Sequence, residues 1–301
     1  MPARTSPATR TGLVLAVAAL TAAAAWNIQR APAPASTPGV AGLGARYGAA
    51  GLGARYGAAV ALGNGQVRTY VLTDPESGHP VEVGVALSAE ALDSLPRLSA
   101  EHAPGTHGPS REYLLELPAG NPTPYRFVEV DWNPMGHGGP YTAPHFDFHF
   151  YRVPLAVRNE IVLDDPAFAE KAARLPAADE MPSGYVSSHV LLKTTPAGMT
   201  VPRMGLHWLD IKSPELPPAS RPFTTTFIVG SWNGQVIFDE PMVTRDFILA
   251  QRTGPATADS IPLPQAKRYV PAGYYPMSYA VRWDSEAGEY RIALKGLTPR
   301  N

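Results

Sequence analysis

From about residue 51 onward, apolar and polar residues alternate with a period of two, the signature of β-strands that bury one face. Strands are predicted over 66–71, 81–87, 112–117, 125–132, 145–153, 187–192, 204–210, 223–232 and 235–239. Two more, 279–283 and 290–294, flank the turn-rich DSEAGE and predict a hairpin. Helical signals are few and short. Residues 87–95 carry Glu90 and Asp93 after Ser88 and stop at Pro96; 165–174 opens with acid and Pro166; 244–250 is a third short segment. The spacing lacks the regular βαβ alternation of a doubly wound sheet. The fold class predicted is mostly β, a β-rich α+β arrangement of antiparallel sheets forming a sandwich or barrel, with a few short helices.

The N-terminus breaks this pattern. Arg4 and Arg10 precede the apolar run LVLAVAALTAAAA, and small residues follow. This is the charged, apolar, small-residue order of a secretory signal. The run is about 13 residues, short of the ~20 that span a bilayer, so cleavage is favoured over a retained anchor. The expected organisation is a signal peptide over 1–25, a flexible Pro/Ala/Gly-rich linker over 26–54, and a single β-rich domain over 55–298. GLGARYGAA occurs twice in tandem, at 42–50 and 51–59. Two copies do not build a solenoid, and a local duplication is the simpler reading. The expected localisation is periplasmic or secreted, with no stable membrane insertion once the signal is removed.

Composition narrows the chemistry. The chain has 301 residues, 33 prolines, 27 glycines, no cysteine and a formal net charge of −1. Without cysteine there are no disulfides, thiol nucleophiles or thiolate-bound metals. Near-neutral charge without a basic face gives no support for nucleic acid. Nucleotide loops and the serine-hydrolase elbow are also missing from the sequence. The partner classes left are a small molecule or an envelope ligand, with homo-oligomerisation left open.

One block stands out: DWNPMGHGGPYTAPHFDFHFY at 131–151. With MGLHWLD at 204–210 it holds four of the eight histidines. On a strand, His145, Asp147 and His149 share one face, and Phe146, Phe148 and Phe150 share the other. Buried ionisable groups need partners, so a metal or catalytic site is the preferred reading. A satisfied polar network and a solvent-facing edge are the alternatives. Residues two apart lie ~6.7 Å apart along a strand and residues four apart ~13 Å. His145 and His149 therefore share an ion only across a bend or bulge; otherwise Asp147 replaces one of them. His137, His207 and Glu240 are the other candidate ligands. Glu240 is expected near the histidines because Asp-Glu-Pro would end a strand at a sheet rim. His-rich ligation with one carboxylate suits Zn²⁺ best and also accommodates Fe²⁺, Mn²⁺, Ni²⁺ or Cu²⁺. Asp147 or Asp210 would orient an imidazole or act as a base. The function expected is a metal-binding protein of the cell envelope, with a zinc-dependent hydrolase as its catalytic form. A non-catalytic binding or structural role is the alternative.

Five ordered motifs, NPMGH (133–137), PHFDFHFY (144–151), MGLHWLD (204–210), FIVGSWNGQVIFDEPM (227–242) and GYYPMSY (273–279), resemble a family of uncharacterised secreted bacterial proteins represented by a Thermus protein of β-rich fold. The resemblance covers roughly residues 55–297. It implies an extracytoplasmic, β-dominated domain without an assigned reaction. His137, His145, Asp147, His149, His207, Asp210 and Glu240 fall inside these motifs, and the resemblance assigns none of them a role.

Overall fold

The computed structural model describes residues 53–97, 110–254 and 258–301. The expected signal peptide, nearly all of the linker and the first repeat copy lie outside the described residues. Among the described residues, seventeen strands run in chain order. They are β1 (Gly53–Tyr56), β2 (Val60–Leu62), β3 (Gly65–Thr73), β4 (Pro80–Ser88), β5 (Arg111–Glu116), β6 (Phe127–Asn133), β7 (His145–Tyr151), β8 (Tyr185–Ser187) and β9 (Thr200–Val201). After these come β10 (Gly205–Asp210), β11 (Thr225–Trp232), β12 (Gln235–Thr244), β13 (Ile261–Pro262), β14 (Gly273–Tyr275), β15 (Ser278–Asp284), β16 (Glu289–Lys295) and β17 (Thr298–Arg300). Five short helices accompany them: α1 (Leu155–Asn159), α2 (Phe168–Ala173), α3 (Ser188–Leu191), α4 (Pro196–Met199) and α5 (Arg245–Ala250).

The strands form two large antiparallel sheets packed as a sandwich. The first has the order β1-β3-β4-β16-β15-β13, with β2 beside β3. The second has the order β5-β6-β7-β12-β11-β10-β8, with β9 beside β10. β14 and β17 make a small separate pair. The fold is mostly β, as the alternation predicts, and the sheets do not close into a barrel.

The period-two pattern becomes energy in the space between the sheets. Phe146, Phe148 and Phe150 of β7 are fully buried there, in one core with Val83, Val85 and Leu87 of β4 and with Val128 and Val130 of β6. Burying each phenylalanine contributes roughly 1.5–3 kcal/mol. This fixes the facing of β7. A one-residue slip would send all three rings outward and three ionisable groups into the core.

Four local expectations are corrected. Residues 87–95 hold only one 3-10 turn, Ala89–Leu92, because β4 runs on to Ser88. The strand expected over 187–192 is β8 followed at once by α3. β8 is the sheet edge, and Val190, Leu191 and Leu192 are exposed, so no buried face sustains a strand there. The second repeat copy supplies an ordered strand: Arg55 and Tyr56 of β1 pair with Val71 and Tyr70 of β3. Finally, β12 does not stop before Pro241 but runs to Thr244. Its pairing with β7 keeps one register from Phe238–Tyr151 to Thr244–His145, and only the step between Asp239–Phe150 and Met242–Asp147 is left unpaired. Pro241, which has no N–H to donate, sits in that step.

Candidate metal centre

The second sheet turns its other face away from the core. Strand pairing sets a polar array there. Glu129, Asp131 and Asn133 of β6 stand opposite His149, Asp147 and His145 of β7. Glu240 of β12 faces Ile228 of β11, and His207 of β10 faces Gly230 of β11, on the same side of the sheet. The segment after β6, helices α1 and α2 and the chain leading into β10 and β11 cover this face, contributing Tyr141, Ile161, Phe168, Met204 and Phe223 to a second apolar cluster. As a result Glu129, Asp131, His145, Asp147, His149 and Glu240 are all buried.

The histidines divide into two sets. His149 Nε2 lies 3.6 Å from Glu240 Oε2, and His207 Nε2 lies 3.9 Å from the same oxygen. On the other side of Asp147, His145 Nε2 lies 3.2 Å from Asp147 Oδ1, and His137 Nε2 lies 3.7 Å from Asp147 Oδ2. Within each set the three donor atoms lie within 4.8 Å of one another. Ligands ~2.0–2.1 Å from a tetrahedral ion stand ~3.3 Å apart, so both sets have the right scale for one divalent ion. Glu129, Asp131 and His149 form a third group of that size. It competes with the second set for His149, using the Nδ1 side that lies 3.3 Å from Asp131 Oδ2.

Glu129 is held by the Arg158 guanidinium, but several of the other atoms have no hydrogen-bond partner among the described residues: both carboxylate oxygens of Asp131, Nε2 of His145, Oδ1 of Asp147, both ring nitrogens of His149 and Oε2 of Glu240. Buried polar atoms are nearly always partnered. Here unpartnered nitrogen and oxygen lone pairs converge on one another. A cation, protons or a buried water satisfies groups placed in this way.

Electrostatics point the same way. Burial, reinforced by Asp131, raises the Glu129 carboxyl to about 8 against the pull of Arg158. Burial also raises Glu240 to about 8, opposed by His149 and helped by Asp147 and Asp131. Burial, Glu112 and Asp147 push Asp131 well above the usual carboxylate range. Asp147 behaves oppositely: burial pushes it up, but the His145 and His137 imidazoles overcome this and hold it well below. His145 is raised, because the Asp147 carboxylate and the Ala143 carbonyl outweigh its burial. Arg158, reaching from α1, ion-pairs with Glu129 and lies 3.3 Å from Glu112.

Packing aims the rings. Phe238 packs edge-on against both His149 and His207, with centroids 4.7 and 5.5 Å away. Its own position depends on Gly230, where an added Cβ would lie 2.1 Å from the Phe238 ring. His137 sits on the loop after β6. Gly136 there has φ +65°, and a Cβ on it would lie 2.5 Å from the Tyr141 carbonyl oxygen.

The sequence brings His145 and His149 to one site with His207 only across a bend or bulge in β7, with Asp147 replacing one of them otherwise. β6 and β7 pair in unbroken register from Phe127–Tyr151 to Asn133–His145, with no bulge to bring the two rings together, and Asp147 stands with His145 and His137 instead. His137, Asp147 and Glu240 are in contact with the imidazoles; Glu240 gets there from the middle of β12 rather than from a strand end. Asp210 is not part of the array. It is an odd number of residues from His207 along β10 and so points to the opposite face. It lines a cavity of about 140 Å³ with Tyr185, Lys212, Phe227, Ile261 and Tyr279. Its Oδ1 accepts the Lys212 backbone N–H at 2.9 Å, so it neither orients an imidazole nor serves these sites as a base. Glu129, Asp131, Asn133 and Arg158 were not expected. The first three had a signal in the alternation of FVEVDWN, which mirrors that of β7; Arg158 had none.

Residues 76–132 match the TTHB210-like family, described as Hypothetical protein TTHB210. The matched stretch includes Glu112, Glu129 and Asp131 and ends before the first motif histidine. The chain matches no curated protein and no solved structure. No helix among the described residues is long and apolar enough to cross a membrane.

Proposed function

We propose that this chain is an exported, metal-binding protein of the cell envelope, holding a divalent ion between His149, His207 and Glu240. One observation carries the reading: two imidazoles and a carboxylate meet within 4.8 Å, and the His149 and Glu240 donor atoms are buried without hydrogen-bond partners among the described residues. The donor set is nitrogen and oxygen only, which suits Zn²⁺ best and also fits Fe²⁺, Mn²⁺, Ni²⁺ or Cu²⁺. Asp131, on the Nδ1 side of His149, is the positioning residue. A carboxylate there holds a ligand imidazole in the tautomer that leaves Nε2 for the metal.

Burial favours an ion kept as a fixed part of the protein, since His149 and Glu240 are 0% and 2% exposed. The three-donor count favours a second reading, hydrolysis, because it leaves a coordination position for water. A divalent ion would supply Lewis acidity and a bound water of pKa near ~7. In that reading Glu240 and the two imidazoles fix the open position, and Phe238 shields the ring edges.

Elemental analysis of the purified mature chain tests the reading. Bound divalent metal that is lost in His207→Ala and Glu240→Gln is expected. Wild-type protein that stays metal-free after incubation with zinc chloride would refute it. Export is read separately: N-terminal sequencing of envelope or culture-medium protein should begin at or after about Trp26, and intact Met1 in the cytosol would exclude export.

A further inference from the structure

We infer that the chain holds a second, separate divalent ion at His137, His145 and Asp147, so that a fully loaded protein carries two. The inference extends the preceding reading, from which it takes the first ion.

His145 is set up to ligate through one nitrogen. Its Nδ1 lies 2.7 Å from the Ala143 carbonyl oxygen, which can only accept, so Nδ1 carries a proton and Nε2 faces inward. Asp147 is oriented in the same manner. The Asn133 amide donates to Oδ2 at 2.8 Å, leaving Oδ1 aimed at His145 Nε2. Nε2 and Oδ1 are both buried and do not meet hydrogen-bond geometry with each other, although only 3.2 Å separates them. These outer contacts, a carbonyl on one ligand and an amide on the other, are the partners that fix metal-ligating side chains.

The third donor comes from a held loop. The His137 backbone N–H donates to the Tyr141 carbonyl at 2.9 Å, closing the turn over the sheet face. The His137 ring then stands edge-on to His145, with centroids 4.6 Å apart. Tyr141 and Phe223 pack against these two rings and wall the site with apolar surface.

One ion cannot serve both sets. His145 and His149 lie four residues apart on an unbent strand, ~13 Å. The two donor sets share no residue, so the two ions occupy separate sites carried on one strand.

A protonated His145 paired with Asp147 is the metal-free rival, and stoichiometry separates the two. The full mature chain, stripped with chelator, is titrated with zinc chloride by calorimetry, and bound metal is counted by elemental analysis. Two ions per wild-type chain are expected, falling to one in His137→Ala and to one in His207→Ala. His137 lies on a loop, and the wild-type count needs no variant at all. One ion per chain, kept in His137→Ala and lost in His207→Ala, would overturn the second site while leaving the first intact. One ion with the reverse pattern would overturn both the two-ion count and the assignment to His149. No bound ion would overturn both proposals.

Discussion

His149 and Glu240 stand opposite each other in the continuous β7–β12 register, Nε2 to Oε2 at 3.6 Å, at the unpaired step beside Pro241. A carboxylate delivered from a central strand, beside a ring whose other nitrogen faces Asp131, is an arrangement that places a ligand and its supporting partner on opposite sides of one imidazole.

Replacing Asp131 by Asn should weaken metal binding at His149 by ~10–100-fold, the usual cost of losing an outer partner. Glu240→Gln, which removes a ligand, should cost more. Competition titrations with a chromophoric chelator measure both. Equal affinity in Asp131→Asn and wild type would remove Asp131 from the site.

Stability and metal binding should depend on pH in opposite directions. Glu129 and Glu240 rise from 4.5 to about 8 in the folded chain, so folding takes up protons between those values. Their stabilisation is complete below about 4.5 and is lost as pH climbs through about 8. His145, also raised, acts with the same sign. Asp147 is already ionised over this range and adds no slope. Metal binding needs the deprotonated donors and strengthens over the same interval. Melting curves at pH 6 and pH 9 should show chelator-treated protein losing stability at the higher pH, with the gain from added zinc growing. A zinc gain that does not change with pH would mean that Glu240 is not a ligand.

Gly230→Ala should destabilise the protein by ~1–3 kcal/mol through overpacking. The new methyl carbon would lie 2.1 Å from the Phe238 ring, beside the irregularity between Gly230 and Ser231 in the β11–β12 pair. Phe238 wedges His149 and His207, so zinc affinity should fall together with the denaturant midpoint. A midpoint shift with unchanged zinc affinity would show that Phe238 does not position the rings.

Arg158→Met should be among the most damaging single changes. It leaves Glu129 buried without its guanidinium partner, and breaking a buried pair costs ~3–5 kcal/mol. Arg158→Met combined with Glu129→Gln should recover much of that loss in urea unfolding. A double variant no more stable than the single one would argue that Arg158 matters for packing rather than charge.

Much of the site was legible before the fold. The alternation in HFDFHFY placed His145, Asp147 and His149 on one face because side-chain direction along a strand depends only on local geometry. The same rule, applied to FVEVDWN, gives Glu129, Asp131 and Asn133, although nothing in that strand by itself shows that β6 lies beside β7. Arg158 could not be read at all. Its helix has no distinctive pattern, and its role comes from α1 folding back over the sheet.

The sequence by itself determined the period, hence the strands, the phenylalanine face and the absence of thiol ligands. Only the tertiary structure decided how the histidines are shared out. Strand neighbours and their register are set by long-range core packing, which couples residues far apart in the chain. Packing of Phe146, Phe148 and Phe150 between the sheets keeps β7 unbent, and the unbent strand holds His145 apart from His149. The pairing of β10, β11 and β12 then brings His207 and Glu240 to His149, and turns Asp210 the other way.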